Sequence, residues 1–348
     1  MQNPRVLHLL QSSRFSGAEN VVCQIIRLFE NTPIEMAYCS PDGQIRTALK
    51  AKGVNFIPLS ALTLTEVRRV INDFKPDIIH AHDVKASVIA ALVSKNAEVI
   101  SHMHVNHETM RNVNVKTLLY LLSTYRFKYI YWVSESALNN YKFKKYVLNK
   151  SSVLRNVIHK EDIINRIRLD NANYSHDIVY VGRLTYQKHP ERLLEVIKRV
   201  IERYDRAKVA IVGDGDLARH TVELSKKLGI DKNVTFFGFR DNPIKILYCS
   251  KVMLMTSRYE GTPMSALEAQ ALGVPIVSTP TDGLSELIID GYNGFLSSDN
   301  EVLAEKVVQI ITDSSLYKRL SQNSVFRFED LNDLQKYKRE LQSKYLCK

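Results

Sequence analysis

The chain has 348 residues, 45% of them hydrophobic, which is enough for two cores of ordinary domain size and too much for a disordered protein. Its net charge of +11 is uneven: residues 1–157 hold 20 Lys and Arg against 11 Asp and Glu, and residues 158–348 hold 28 against 26. No run approaches the roughly 18–20 apolar residues of a membrane span, and the opening MQNPRVLHLLQ lacks the apolar core and cleavage site of a signal peptide.

Short apolar runs alternate with amphipathic ones. In the first half, strands are predicted at 5–10, 34–39, 55–59, 77–80, 99–102, 129–133 and 153–155. The first helix is predicted over 18–29, with apolar residues at 18, 21, 22, 25, 26, 28 and 29 close to one face. A polar stretch, 160–176, reads as a junction. The pattern then restarts, with strands at 178–181, 208–212, 234–236, 252–255, 275–278 and 294–296. A charged helix over 331–346, apolar at 331, 334, 337, 341 and 345, closes the chain. Strands separated by helices imply parallel sheets covered on both faces. Ligands of such sheets bind beyond the carboxyl ends of the strands. Cys23, Cys39, Cys249 and Cys347 are scattered with no C-x-x-C pair, and read as reduced thiols of a cytosolic protein.

Most of the basic excess lies in 111–155, where nine Lys and Arg face one acid, Glu135. The same stretch carries Tyr120, Tyr125, Phe127, Tyr129, Tyr131, Trp132, Tyr141, Phe143 and Tyr146. Cations among aromatics suit an anionic membrane surface. They also suit single-stranded nucleic acid, although a nucleic-acid binder would leave the other motifs unexplained. The plain alternative is a core strand between two ordinary helices with solvated lysines.

The residues that carry chemistry follow strands. In Arg258-YEGTPMSALEAQALG-Val274, Glu260 and Glu268 stand eight positions apart. Thr262 is a good N-cap, Pro263 suits the first helical position, and 265–272 reads as helix. The positive end of that helix favours an anion, and the two carboxylates could take ligand hydroxyls on either side of it. Sugar, diphosphate, ribose and base make a ligand of that shape. In Ile178-VYVGRLTYQKHPERLL-Leu194, Gly182 lets the backbone turn, and Arg183 and Lys188 can reach one diphosphate. Ala210-IVGDGDL-Leu217 reads as a tight strand-to-helix turn through Gly213 and Gly215, and Phe236-FGFRDN-Asn242 follows the next strand. In Ser13-RFSGAEN-Asn20, Gly17 removes a side chain where backbone meets ligand. His80, His82, His102, His104 and His107 cluster after two strands, which fits either metal ligation or ordinary packing.

The segment holding Glu260 and Glu268 resembles the E-x7-E motif of retaining two-domain glycosyltransferases, family 4 in particular, and the resemblance covers nearly the whole chain. It implies an α/β fold of GT-B architecture, with two facing Rossmann-like domains, an interdomain cleft and a crossover helix. Residues 1–160 would form the acceptor-side domain, 161–328 the nucleotide-sugar domain and 329–348 the returning helix.

The same resemblance assigns roles. Arg183 and Lys188 bind the donor diphosphate and offset its charge as the sugar leaves. No metal or other cofactor is expected. Glu260 positions the donor sugar and Glu268 the ribose, with Gly17, Gly261, Thr262, Pro263, Met264 and Ser265 completing the donor site. Phe239 and Arg240 lie by the base, Glu286 is structural, and His104, or alternatively His102, sits near the sugar. The donor is a nucleotide-diphosphate sugar, UDP on family frequency alone. The acceptor is a glycan, lipid-linked in view of 111–155, at the inner membrane face as in capsule, lipopolysaccharide or teichoic-acid assembly. An epimerase of the same architecture, or a donor-binding subunit without turnover, are the rival readings; a phosphorylase needs a much longer chain.

Overall fold

The computed structural model describes residues 3–105 and 108–346, so His107 and Cys347 lie outside the described residues. It divides into two compact units, one running to Val157 and resuming at Asp333, the other spanning Ile158–Asn332. The sequence reading put these divisions at 160/161 and 328/329.

The first unit is built on seven strands: β1 (Arg5–Leu9), β2 (Glu35–Pro41), β3 (Phe56–Leu59), β4 (Ile78–His82), β5 (Glu98–Met103), β6 (Phe127–Trp132) and β7 (Ser151–Val153). They form one sheet in the order β3-β2-β1-β4-β5-β6-β7, and every pairing is parallel. Helices cover both faces, so the strands need not alternate polar and apolar. All five residues of β4, Ile-Ile-His-Ala-His, are buried. The closing helix, Leu334–Leu346, belongs to this unit and buries Tyr337, Leu341 and Tyr345, a stripe at spacings of four. Its start is three residues later than predicted. The preceding helix, Ser314–Leu331, ends first, and the side chain of Asn332 then holds both backbone groups of Ile158, at 2.8 and 3.0 Å.

The second unit holds β8 (His176–Val181), β9 (Val209–Val212), β10 (Val234–Gly238), β11 (Ser250–Met255), β12 (Ile276–Ser278) and β13 (Gly294–Leu296), again all parallel. Their order is β10-β9-β8-β11-β12-β13, the doubly wound order of nucleotide-binding sheets, whose direction of winding reverses between β8 and β11.

Three expectations are corrected. The stretch read as a polar junction contains a helix, Lys160–Arg168, whose Ile163 is buried. The helix predicted from Ser265 runs Met264–Ala271, with Pro263 rather than Thr262 at the N-cap, because Pro263 is still extended at ψ 127°. Most aromatics of 111–155 are core: Tyr120, Phe127, Tyr131, Trp132 and Tyr141 are buried and Tyr129 and Phe143 half-buried, leaving Tyr125 and Tyr146 exposed. Cys23, Cys39 and Cys249 are free thiols, and burial pushes the Cys23 and Cys39 thiols up to about 12. Among the described residues, no helix is long and apolar enough to cross a membrane.

Candidate active site

In the second unit the functional residues follow β8 and β11, the two strands that flank the winding reversal. The β8 loop carries Arg183 and, in a short 3-10 turn at Tyr186–Lys188, Gln187 and Lys188. The β11 loop carries Ser257 to Pro263 and leads into the Met264–Ala271 helix. The backbones of Gly213 and Gly283 shape these loops. A Cβ on Gly213, at φ 145°, would lie 1.8 Å from the Gly182 carbonyl oxygen, and one on Gly283 would lie 1.6 Å from that of Gly261. The G-x-G turn after β9 therefore braces the start of the Arg183 loop, and the T-D-G-L stretch braces the Glu260 loop.

Glu260 is the centre of this arrangement and is almost wholly buried. Its Oε1 accepts from Lys188 Nζ at 2.5 Å and from Ser257 Oγ at 2.6 Å, and its Oε2 accepts from Gln187 Nε2 at 3.5 Å. Gln187 ties the two loops together, since its Nε2 also donates to the Tyr259 carbonyl, its carbonyl accepts from Arg258 N, and its Oε1 accepts from Arg183 Nη2. Gly261, Thr262, Pro263 and Met264 are buried beside Glu260, and Ser265 is half-buried. A helix's first amides have no carbonyl a turn earlier to bond; here they belong to Met264 and Ser265. The site thus combines a buried carboxylate, an ammonium against it, a guanidinium one residue away and a helix N-terminus, which is a chemistry for a ligand bearing both hydroxyls and phosphate.

Glu268 is also buried, and its Oε1 accepts from Arg166 Nη1 at 3.1 Å. Arg166 comes from the Lys160–Arg168 helix, the one sequence reading missed. The same guanidinium bonds Asn242 Oδ1 and the Asp241 carbonyl on the loop after β10, so one side chain joins the Glu268 helix to the Phe236–Asn242 loop. A basic residue two places before the end of a charged helix gives no sequence signal for this. Phe239 stands exposed on that loop, while Arg240 lies over Phe237 instead, 5.8 Å from the ring centre. On the role that the resemblance gives Glu268, Arg166→Ala should raise the donor KM about tenfold, the worth of a charge-assisted hydrogen bond that aims Glu268, with a smaller change in kcat. Steady-state release of nucleotide from the donor checks this, and an equal fall in kcat alone would count against it.

In the first unit, Gly17 opens the helix Gly17–Leu28 and is exposed. The buried Glu19 occupies that helix's first turn, its Oε2 accepting from Ser16 Oγ at 2.5 Å. A carboxylate there already answers the positive end of the helix, a feature not weighed in the reading of Gly17 as a phosphate contact.

Four of the histidines singled out in the sequence come together with a fifth, His8 on β1, and all are buried. His8 Nδ1 and His82 Nε2 are 3.0 Å apart, and His82 Nδ1 and His104 Nε2 are 2.8 Å apart, giving a hydrogen-bonded chain of three imidazoles. His104 stacks on His102 with ring centres 4.2 Å apart, and among the described residues its Nδ1 has no partner. Neither ring nitrogen of His102 is hydrogen-bonded among the described residues. His80 Nδ1 meets Tyr345 Oη at 2.6 Å, which docks the closing helix. Burial holds His8 and His104 near pKa 3, and holds His80, His82 and His102 well below the usual imidazole value. Two trios, His8-His80-His82 and His82-His102-His104, offer nitrogens within 4.8 Å of one another. Ligands of a tetrahedral zinc ion stand roughly 3.3 Å apart, so the hydrogen bonds that now link these rings would have to open for an ion to enter.

Two all-parallel sheets with flanking helices set the fold, and comparison with known proteins shows the chain to be a GT-B glycosyltransferase. It carries the two family models of that class in succession: Glycosyltransferase Family 4 over residues 15–167 and Glycosyl transferases group 1 over residues 164–325. An uncharacterised glycosyltransferase of Methanocaldococcus jannaschii is 28% identical over 84% of either chain. An Escherichia coli UDP-Gal:alpha-D-GlcNAc-diphosphoundecaprenol alpha-1,3-galactosyltransferase is 24% identical over 92% of this chain and 90% of its own. Among solved structures, Anabaena HepE in complex with UDP and glucose matches the fold with a TM-score of 0.85 at 19% identity, over 98% of this chain and 99% of that one. Staphylococcus aureus TarM matches with a TM-score of 0.81 at 13% identity, over 99% and 100%.

Proposed function

We propose that the protein is a retaining glycosyltransferase that moves a sugar from UDP to a lipid-linked glycan at the inner face of the cell membrane, in surface polysaccharide assembly, without a metal ion. The observation that carries the donor reading is the Lys188–Glu260 pair, its carboxylate buried and its ammonium mostly so, set beside the Met264–Ala271 N-terminus. With donor bound, Lys188 and Arg183 face the diphosphate and take up the charge it gains as the glycosidic C–O bond breaks. That is the service a divalent cation gives elsewhere. Glu260 accepts from sugar hydroxyls and holds the anomeric carbon in place, and Glu268, aimed by Arg166, takes the ribose. The acceptor oxygen forms its bond on the face the phosphate leaves, and its proton passes to the departing phosphate oxygen. His104, carried over from the resemblance, serves the sugar as a neutral imidazole, which suits its depressed pKa.

UDP is supported by the UDP held in HepE and TarM and by the donor in the E. coli relative's name. The lipid-linked acceptor is supported by the diphosphoundecaprenol in that same name and by the basic surface within 111–155. Calorimetric titration with UDP, GDP and ADP tests the donor site directly. The wild type should bind UDP, and Lys188→Ala should weaken it at least about thirtyfold, the value of one buried charge-assisted contact to phosphate. If well-folded wild type binds none of the three, the donor assignment fails.

A further inference from the structure

The helix Val115–Ser123 is apolar on the side that faces solvent. Its buried residues are Thr117, Tyr120 and Ser123, while Val115 is 74% exposed, Leu118 42%, Leu119 48% and Leu122 73%. The four aliphatics stand at i, i+3, i+4 and i+7, a single stripe along the helix. The inward groups fix this orientation. Tyr120 Oη meets Ser101 Oγ at 2.8 Å, and Thr117 Oγ1 donates to the Asn112 carbonyl at 2.9 Å. Rolling the helix to hide its leucines would strand those buried hydroxyls. The apolar surface continues into Val113 before the helix and Tyr125 after it. A contiguous stripe of this size on a soluble unit marks a surface that something covers.

The charges around it say what. The loop 142–150 is tied to the turn Glu108–Arg111 that precedes the helix, by Lys142 N to the Met110 carbonyl at 2.9 Å, and to the helix's C-terminal end, by Lys150 Nζ to the Thr124 carbonyl at 2.7 Å. It carries Lys142, Lys144 and Lys145, together with exposed Tyr146 and Leu148. Arg111, Lys116 and Arg126 belong to the helix and its flanks. We propose that this face docks on an anionic bilayer, with Val115, Leu118, Leu119 and Leu122 entering between the lipids and the surrounding cations meeting lipid phosphates. The inference deepens the membrane reading above by naming the element that makes the contact. A second copy of the chain fits less well, because a two-fold contact would set the same cationic rims against each other. At nine residues the helix is too short to span a bilayer and suits only its interface.

Flotation with vesicles tests this, using pure phosphatidylcholine and equimolar phosphatidylcholine and phosphatidylglycerol, at low and high salt. Wild type should bind the anionic vesicles strongly and the neutral ones weakly, and salt should reduce the binding without abolishing it, because the apolar part is not screened. Leu118→Gln with Leu122→Gln should lower partition at least about tenfold on both kinds of vesicle. Lys144→Glu with Lys145→Glu should remove only the preference for anionic lipid. Both variants should keep the wild-type melting temperature and UDP affinity. If wild type and the leucine variant float equally, docking lies elsewhere and the inference fails while the membrane reading stands. If wild type does not float, both fail, and the UDP titration still judges the transferase. If the leucine variant instead dissolves a wild-type dimer seen by sedimentation, the face belongs to a second copy and the inference is overturned.

Discussion

Glu260→Gln is expected to lower turnover by roughly a hundred- to thousandfold while leaving UDP affinity unchanged or raised. The substitution keeps shape and removes charge. In the wild type, Oε1 takes both the Lys188 ammonium and the Ser257 hydroxyl, and Oε2 takes the Gln187 amide. A glutamine has one acceptor oxygen for these three donors. If that oxygen stays with Lys188 and Ser257, its own NH2 then faces the NH2 of Gln187. The sugar loses an ionised acceptor at the reacting end, so the donor sits less well and kcat falls. Lys188 meanwhile loses its counter-charge and turns wholly to the diphosphate, so nucleotide binding does not suffer. Removing one partner of a buried ion pair also costs about 3–5 kcal/mol of stability, and the melting temperature should therefore be read beside the kinetics. Release of UDP from a panel of UDP-sugars gives kcat, and calorimetry gives the affinity. The opposite pattern, normal turnover with weakened UDP, would move Glu260 from the sugar to the nucleotide. The contrast with Lys188→Ala, which loses the nucleotide itself, separates the two halves of the site.

The positions of the strands could be read because most are short runs of β-branched and aliphatic residues bounded by turn formers; twelve occur where such runs were read, while β7, Ser-Ser-Val, shares only Val153 with the run read at 153–155. The site residues after β8 and β11 were legible for a related reason, since chemistry in a parallel sheet gathers at strand ends. Arg166 was not legible. Its helix, KEDIINRIR, buries only Ile163, so the apolar period is too thin to distinguish it from a loop, and its partner Glu268 is 102 residues away. The orientation of Val115–Ser123 was hidden for the opposite reason. VKTLLYLLS is apolar nearly all round, and only the hydroxyls of Ser101 and the loop at Asn112 decide which side turns in. The aromatics of β6 misled similarly: a strand covered on both faces does not alternate, so Tyr131 and Trp132, adjacent in sequence, are both core.

The first unit should unfold in mild acid, and the histidine chain sets the sign. A buried imidazole that stays neutral in the fold takes up a proton on unfolding once pH drops below its ordinary value near 6.5. The unfolded state then binds more protons, so stability is complete above about pH 6.5 and is lost as pH falls towards the depressed folded values near 3. Each ring contributes up to about 1.4 kcal/mol per pH unit in that window. His8, His80, His82, His102 and His104 all work in this direction. Asp83, at the N-cap of the Val84–Val93 helix, opposes them: burial pushes its carboxyl up to about 7, so below that pH the fold keeps a proton that the unfolded chain releases. One carboxyl offsets about one imidazole, so the net effect of the cluster is a loss of stability as pH falls. Trp132, the only tryptophan, is buried in this unit, so its fluorescence in urea titrations from pH 7.5 to 5 follows this unit alone. The expected result is a midpoint that falls steeply below pH 6.5, with His8→Gln reducing the slope by about 1.4 kcal/mol per pH unit. A midpoint flat across that range would mean that the rings are protonated in the fold, and so that acidic groups or solvent reach the buried cluster.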